Sequence, residues 1–239
     1  MVSIDIVLPC FNPQADWDKR LISSYLLLSE KVGTNTIHII LVNDGSDEKY
    51  ISETQIHQLK TQIPNFQYYT YSKNMGKGYA VRYGVQKSTA EICIYTDIDF
   101  PYTPESQISI IQSLMHGADI AAGIKNKSYY KQVPILRRII SKTLRYFTAF
   151  FLRLKINDTQ CGLKGFNQKG KEIFLKTSMN RYLFDLEFIY VASSKKNLKI
   201  EEVPVQLNEG VIFSRMPLKI LFTELMSFIS ILMRSIFKK

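Results

Sequence analysis

With 239 residues, 46% of them hydrophobic, the chain is long enough for one good-sized core, and long apolar runs alternating with helical patterns point to a single α/β domain with a tail. The formal net charge of +10 is concentrated late: Lys125, Lys127, Lys131, Arg137, Arg138, Lys142, Arg145, Arg153 and Lys155 fall in one acid-free stretch suited to meeting phosphate. Cys10, Cys93 and Cys161 are far apart and no Cys-x-x-Cys spacing occurs, which argues against a disulfide framework or a structural zinc and fits a reducing cytosol.

Val2 to Leu8 is strand-like, with no basic leader before it, so no signal peptide is expected. The strand is expected to stop at Pro9, with Cys10-Phe11-Asn12-Pro13 as a loop and Trp17 to Lys31 as a helix. Ile37 to Val42 is a second apolar run, ending at Asn43-Asp44-Gly45-Ser46 and followed by a polar helix to about Gln62. Phe66 to Tyr71 reads as a third strand, closed by the loop Ser72 to Gly78, with a helix to Lys87. Ile92 to Tyr95 is a fourth, buried strand that runs into Asp97 and Asp99, and Pro101 and Pro104 keep it from simply continuing.

Strands alternating with helices imply a mostly parallel sheet, because parallel neighbours need crossover connections. In such sheets the loops after the strands gather at the carboxyl edge, where open α/β folds bind ligands. Asn12, Asp44, Lys73, Asn74, Asp97 and Asp99 all follow strands and so form one candidate site. Carboxylates as close as Asp97 and Asp99 repel unless a cation sits between them, and hard oxygen donors suit Mg2+ or Mn2+ together with a substrate phosphate. Taken alone, the same Asp-x-Asp also reads as a solvated turn.

Beyond Pro104 a helix to about His116 and a strand from Ala118 to Gly123 are expected. Ile135 to Leu154, within the basic segment 133–155, reads as a helix carrying Arg138, Lys142 and Arg145 at i, i+4, i+7 beside Ile135, Ile139, Phe147 and Phe150. It either lies on a membrane or faces the core with a solvated basic side. A loop and strand from Asn157 to Phe166, helices Gln168 to Lys176 and Leu183 to Ser194, and a last strand Leu198 to Val203 before Pro204 follow. From Leu218 to Lys239 a narrow polar stripe (Lys219, Thr223, Ser227, Ser230, Arg234) divides a wide apolar helix, whose charges argue against a spanning segment of about 20 apolar residues. An in-plane membrane helix is favoured over packing on its own domain or in a homodimer. The division is residues 1–213 as the main domain and 214–239 as an amphipathic tail.

Several motifs are absent. Gly76-Lys77 is followed by Gly78 instead of Ser or Thr, so it is no Walker P-loop; Val81 breaks a Rossmann fingerprint; and Pro101 and Ile108 break an EF-hand. His38, His57 and His116 share no ligand spacing, and no Ser-His-Asp arrangement is visible. The basic residues interleave with aliphatic and Phe side chains, which suits a lipid boundary better than nucleic acid.

Leu8-Pro9-Cys10-Phe11-Asn12, Val42-Asn43-Asp44-Gly45-Ser46 and Tyr95-Thr96-Asp97-Ile98-Asp99 occur in the order and spacing of the family 2 glycosyltransferases, which have the GT-A fold. The stretches Lys73 to Arg82, Asp158 to Phe166 and Phe184-Asp185-Leu186-Glu187 resemble the dolichyl-phosphate glucosyltransferase branch, and the likeness runs to about Arg215. The resemblance implies that Pro9, Asn12 and Asp44 hold the uridine of a nucleotide sugar, that Lys77 and Asp97 continue that pocket, and that Asp99, with Asp97, ligates the metal on the diphosphate. Two departures stand out: Pro101 replaces the Gln that polyprenyl-phosphate mannose synthases place there as a third metal ligand, and Pro13-Gln14 replaces the acids often found after the first Asn.

The expected reaction is inverting transfer of a hexose, glucose from UDP-glucose, to a polyprenyl phosphate at the cytoplasmic membrane face by a peripheral protein. The acceptor phosphate is expected at Arg137, Arg138, Lys142, Gln160, Lys164 and Arg215, since arginine grips phosphate in bidentate fashion. Two alternatives are a transferase acting on a saccharide hydroxyl, with Asp185 as general base, and an inactive sugar-nucleotide-binding protein.

Overall fold

The structure, a computed structural model, describes residues 1–125, 154, 156, 158–159, 161–209 and 228. Most of the basic helix expected from Ile135, and of the tail helix from Leu218, lies outside them. In chain order the elements are β1 (Ser3–Cys10), α1 (Trp17–Lys31), β2 (Thr36–Asp44), α2 (Glu53–Gln62), β3 (Phe66–Tyr71), α3 (Lys77–Lys87), β4 (Ile92–Tyr95) and α4 (Pro104–Met115). β5 (Ile120–Lys125), β6 (Lys164–Phe166), α5 (Gln168–Phe174), α6 (Phe184–Ser193) and β7 (Ile200–Val205) complete them.

The strands form one sheet of seven in the order β3-β2-β1-β4-β6-β5-β7. Among the described strands only β6 runs antiparallel to its neighbours, so its first residue, Lys164, sits at the carboxyl end of β4, opposite Tyr95, and beside Ala122 in the middle of β5. Alternation along the strands divides the core. Ile4, Ile6 and Leu8 of β1 and Ile39 and Leu41 of β2 join Trp17, Leu21, Leu59, Ile110 and Leu114 from α1, α2 and α4. Val7, Ile40 and Val42 face the other way, onto α3, α5 and α6 through Val81, Phe174, Phe184 and Phe188.

Helix starts are set by local chemistry. Ser52 and Gln55 form a capping box on α2, Thr103 caps α4 ahead of Pro104, and Asn167 caps α5.

Two prolines expected to end strands lie inside them. β1 continues through Pro9, paired with Val42 of β2, but its β4 side stops at Val7, so Pro9 sits where one edge of the strand is already open. Pro204 pairs with Ile124 in β7, which among the described strands is an edge strand with β5 as its one neighbour, where a missing N–H costs little. Of the tail, Phe228 packs against Leu183 and Leu186 near the start of α6.

α3 approaches the sheet closely at Gly84, where a Cβ would lie 2.4 Å from Val7 Cγ1 and 3.0 Å from Val42 Cγ2. Gly84→Val is therefore expected to lower unfolding stability by about 1–3 kcal/mol through overpacking, read as a lower urea midpoint at unchanged slope. A wild-type midpoint would show that α3 does not sit this close.

Candidate active site

The carboxyl edge of β1 and β2 is assembled around Asp44. Asn43 fixes the turn after β2: its Oδ1 accepts from Ser46 N at 2.8 Å, while its Nδ2 donates to the Tyr68 and Thr70 hydroxyls. Gly45, at φ 71°, lets the next loop lie against it, since a Cβ there would be 2.7 Å from Asn74 N. The Asp44 carboxylate is buried and accepts from Met75 N (2.7 Å), Gly76 N (2.9 Å), Asn74 Nδ2 (3.0 Å) and the Tyr71 hydroxyl (2.9 Å). It therefore pins the loop that leads into α3. Pro9 is buried in β1, and Asn12, at φ 44°, donates its N–H to Ser46 Oγ at 2.9 Å. Among the described residues the buried Asn12 Oδ1 atom has no hydrogen-bond partner, an acceptor open to a donor group on a ligand.

Past β4 the chain turns sharply, with Phe100 N donating to Asp97 O at 3.0 Å. Phe100 adopts φ 46°, a strained conformation for a bulky side chain. The strain is held from the far end of the chain. Asn208 Nδ2 donates to Phe100 O (2.8 Å) and Tyr102 O (3.2 Å), and Asn208 N to Pro101 O (2.9 Å). The Tyr102 hydroxyl in turn accepts from Gly162 N at 2.9 Å.

This turn presents Asp97 and Asp99 side by side. Asp97 is partly buried and ion-paired through Oδ1 with Lys77 Nζ, the first side chain of α3. Its Oδ2 lies 3.0 Å from where a Cβ on Gly162 would stand. Burial works against the charge on Lys77, but Asp97, Asp185 and Asp99 together outweigh it and hold its ammonium above the usual lysine range. Asp99 has no ion-pair partner among the described residues; desolvation and the charge of Asp97 push its carboxyl up, opposed in part by a backbone hydrogen bond and by Lys77 and Arg20.

Two carboxylates on one tight turn, one of them uncompensated, fit a hard divalent ion such as Mg2+ or Mn2+, which takes one or two protein carboxylates and fills its other positions with water and phosphate oxygens. Among the described residues no third His, Cys, Asp or Glu joins them.

Behind this pair lies a buried charge cluster. Lys164 is fully buried, with Nζ 2.7 Å from Asp185 Oδ1 and also donating to Cys161 O. The Tyr95 hydroxyl donates to the same Asp185 oxygen, and its pKa is driven well up by burial and by Asp185. Glu187, two residues along α6, points elsewhere: it accepts from Ser178 N (2.8 Å), Ser178 Oγ (2.9 Å) and Met179 N (2.7 Å). The loop so held carries Asn180, whose carbonyl accepts from Tyr79 N at 3.2 Å and packs so tightly on Gly76 (φ 101°) that a Cβ there would meet it at 2.4 Å.

The structure thus gathers Asn12, Asp44, Lys77, Asp97 and Asp99 at one edge, with Asp185 just behind. Lys164, assigned from sequence to an acceptor phosphate, is placed in the interior, its amine given to Asp185 instead of to the surface. Arg137, Arg138, Lys142, Gln160 and Arg215 lie outside the described residues. Sequence reasoning passed over Tyr95, Tyr102, Gly162 and Asn208, which position the acid pair. The one signal for the buried cluster was Lys164 and Asp185 standing in apolar surroundings, where an unpaired charge is costly.

The ordered edge loops invite comparison with known proteins. Residues 5–174 match Glycosyl transferase family 2. The chain belongs to this family, and it is a glycosyltransferase. It is 26% identical over 221 residues to a dolichyl-phosphate beta-glucosyltransferase of Dictyostelium discoideum, covering 87% of this chain and 67% of that protein. It is 29% identical over 223 residues to the human dolichyl-phosphate beta-glucosyltransferase, covering 86% and 67%.

Among solved structures, glucosyl-3-phosphoglycerate synthase from Mycobacterium tuberculosis, in complex with Mn2+, uridine-diphosphate and phosphoglyceric acid, superposes with a TM-score of 0.61 at 14% identity, covering 92% of this chain and 73% of that one. A mannosyl-3-phosphoglycerate synthase from Rubrobacter xylanophilus gives 0.60 at 15% identity, covering 85% and 65%. The GT-A fold expected from the sequence is the fold of this chain.

The Lys164–Asp185 pair yields a prediction for this family 2 enzyme. Lys164→Met leaves a buried carboxylate unpaired and is expected to cost about 3–5 kcal/mol, whereas Lys164→Met with Asp185→Leu should recover much of that loss. Chemical denaturation of the two single variants and the double variant measures this. Additive losses would show that the two charges do not depend on each other.

Proposed function

We propose that this glycosyltransferase moves glucose from UDP-glucose to a polyprenyl phosphate, with Mg2+ or Mn2+, as a peripheral protein on the cytoplasmic face of a membrane. The donor end rests on the carboxyl-edge site. The unpartnered Asn12 Oδ1 suits an N–H or O–H of the uridine. Asp44 acts on that pocket through the loop it pins. A divalent ion, held by Asp99 and Asp97, would neutralise charge on the diphosphate. Lys77, at the start of α3, is positioned to stabilise the leaving nucleoside diphosphate as its charge develops, and preorganised charge of that kind is among the largest catalytic terms.

The observation that carries the acceptor assignment is the state of Asp185. Transfer to a sugar hydroxyl needs a base, and Asp185, the carboxylate considered for that task, is 5% exposed and takes hydrogen bonds from Lys164 and Tyr95. A phosphate monoester, with a second pKa of about 6, is already ionised near neutral pH and attacks the anomeric carbon without a base. In-line attack inverts that carbon. The relatives named as dolichyl-phosphate glucosyltransferases support the same acceptor class. Arg137, Arg138, Lys142, Gln160 and Arg215 remain the groups to grip its phosphate, and the amphipathic tail 214–239 the segment to meet the membrane or a second copy. No helix among the described residues is long and apolar enough to cross a membrane.

The test is transfer of labelled sugar from a panel of UDP- and GDP-sugars to polyprenyl phosphate, followed by butanol extraction. Lipid-soluble label from UDP-glucose, abolished by EDTA and reduced on the order of 10²–10³-fold in Asp99→Ala, is expected. Label that instead appears in a water-soluble saccharide would overturn the lipid acceptor.

A further inference from the structure

Lys77 has an ion-pair partner that a divalent ion would also claim. Its ammonium rests on Asp97 Oδ1, with 23% of the Lys77 side chain and 37% of the Asp97 side chain exposed, so the contact lies at the site's surface. The other oxygen of Asp97 faces Gly162, where a Cβ would stand 3.0 Å away, and Oδ1 is the oxygen that holds Lys77. Asp185 also pulls on Lys77, but it is already neutralised by Lys164 and makes no ion pair with Lys77. A diphosphate is an anion able to draw Lys77 from Asp97, and what Lys77 leaves behind is a freed carboxylate near Asp99.

Lys77 also follows directly on Asn74, Met75 and Gly76, the loop held by Asp44 at the nucleotide pocket, so a bound diphosphate arrives next to it. We propose that Lys77 is an exchangeable counter-ion. In the donor-free protein it neutralises Asp97 and weakens binding of a divalent cation; the donor's diphosphate draws it away, and cation and donor then bind cooperatively. This rests on the donor and metal assignment made above. The coupling is reciprocal, since whatever raises the cation's affinity with donor present raises the donor's affinity by the same factor with cation present.

The test is calorimetric titration of the full chain with Mn2+, with and without UDP, in the wild type, Lys77→Met and Lys77→Arg. Thermal melts and circular dichroism check each fold. Lys77→Met is expected to bind Mn2+ about tenfold more tightly than the wild type without UDP, and to bind UDP more weakly without Mn2+. Lys77→Arg, which keeps the charge, should stay close to the wild type in its Mn2+ affinity. Unchanged or weaker Mn2+ binding by Lys77→Met without UDP would overturn the exchange. Absence of Mn2+ binding by the wild type even with UDP would instead sink the metal assignment and the exchange with it.

Discussion

Negative charge crowding one edge of the sheet is the constraint on which the site depends. Asp44, Asp97, Asp99 and Asp185 all project near the carboxyl ends of β2 and β4 or just behind them, and like charges so close must be compensated. Three are answered from within the protein, each differently. Asp44 takes backbone and side-chain donors, Asp97 takes the ammonium of Lys77, and Asp185 takes Lys164 with the Tyr95 hydroxyl. Asp99 has no ion pair among the described residues, and burial and the charge of Asp97 work against its charge, so the imbalance is left where a cation and a diphosphate would meet.

The compensation also ties distant parts of the chain together. α6 contributes Asp185 to the charge behind the acid pair and Glu187 to the loop at Ser178, and that loop packs through Asn180 on Gly76, whose N–H is bound by Asp44. The strained Phe100 stays in place because Asn208, after β7, spans its carbonyl and those of Pro101 and Tyr102. A substitution in α6 or near Asn208 would therefore reach the proposed donor site without touching it. The buried Lys164–Asp185 pair gives little net stability by its nature, and its value is that it fixes the Cys161 carbonyl and, through it, the Gly162 backbone against Asp97.

Much of the scaffold was legible in the sequence because period and punctuation agreed. Phe66–Tyr71 and Ile92–Tyr95 have the predicted bounds, each closed by polar, Gly or Pro residues. Pro9 and Pro204 misled because a proline ends a strand only where both edges are paired, and edge pairing is a property of the assembled sheet. The residues just after strands were likewise findable, since parallel topology sends them to one edge. What spacing could not give was direction. Asp44 turns inward onto the N–H groups of residues far along the chain, and Lys164 is claimed by Asp185, 21 positions later. The Lys164 pairing depends on the antiparallel entry of β6, which no local pattern announced.

The chemistry we propose is economical: an anionic acceptor that would need no base, and a leaving group whose charge would be met by a cation and Lys77. The most direct test is a crystal structure with UDP and Mn2+, using anomalous scattering to locate the metal. A manganese peak within bonding distance of Asp99 and the diphosphate, with uridine on Asn12 and Lys77 turned from Asp97 toward phosphate, is expected. A nucleotide seated away from this edge, or a metal bound without Asp99, would contradict the site.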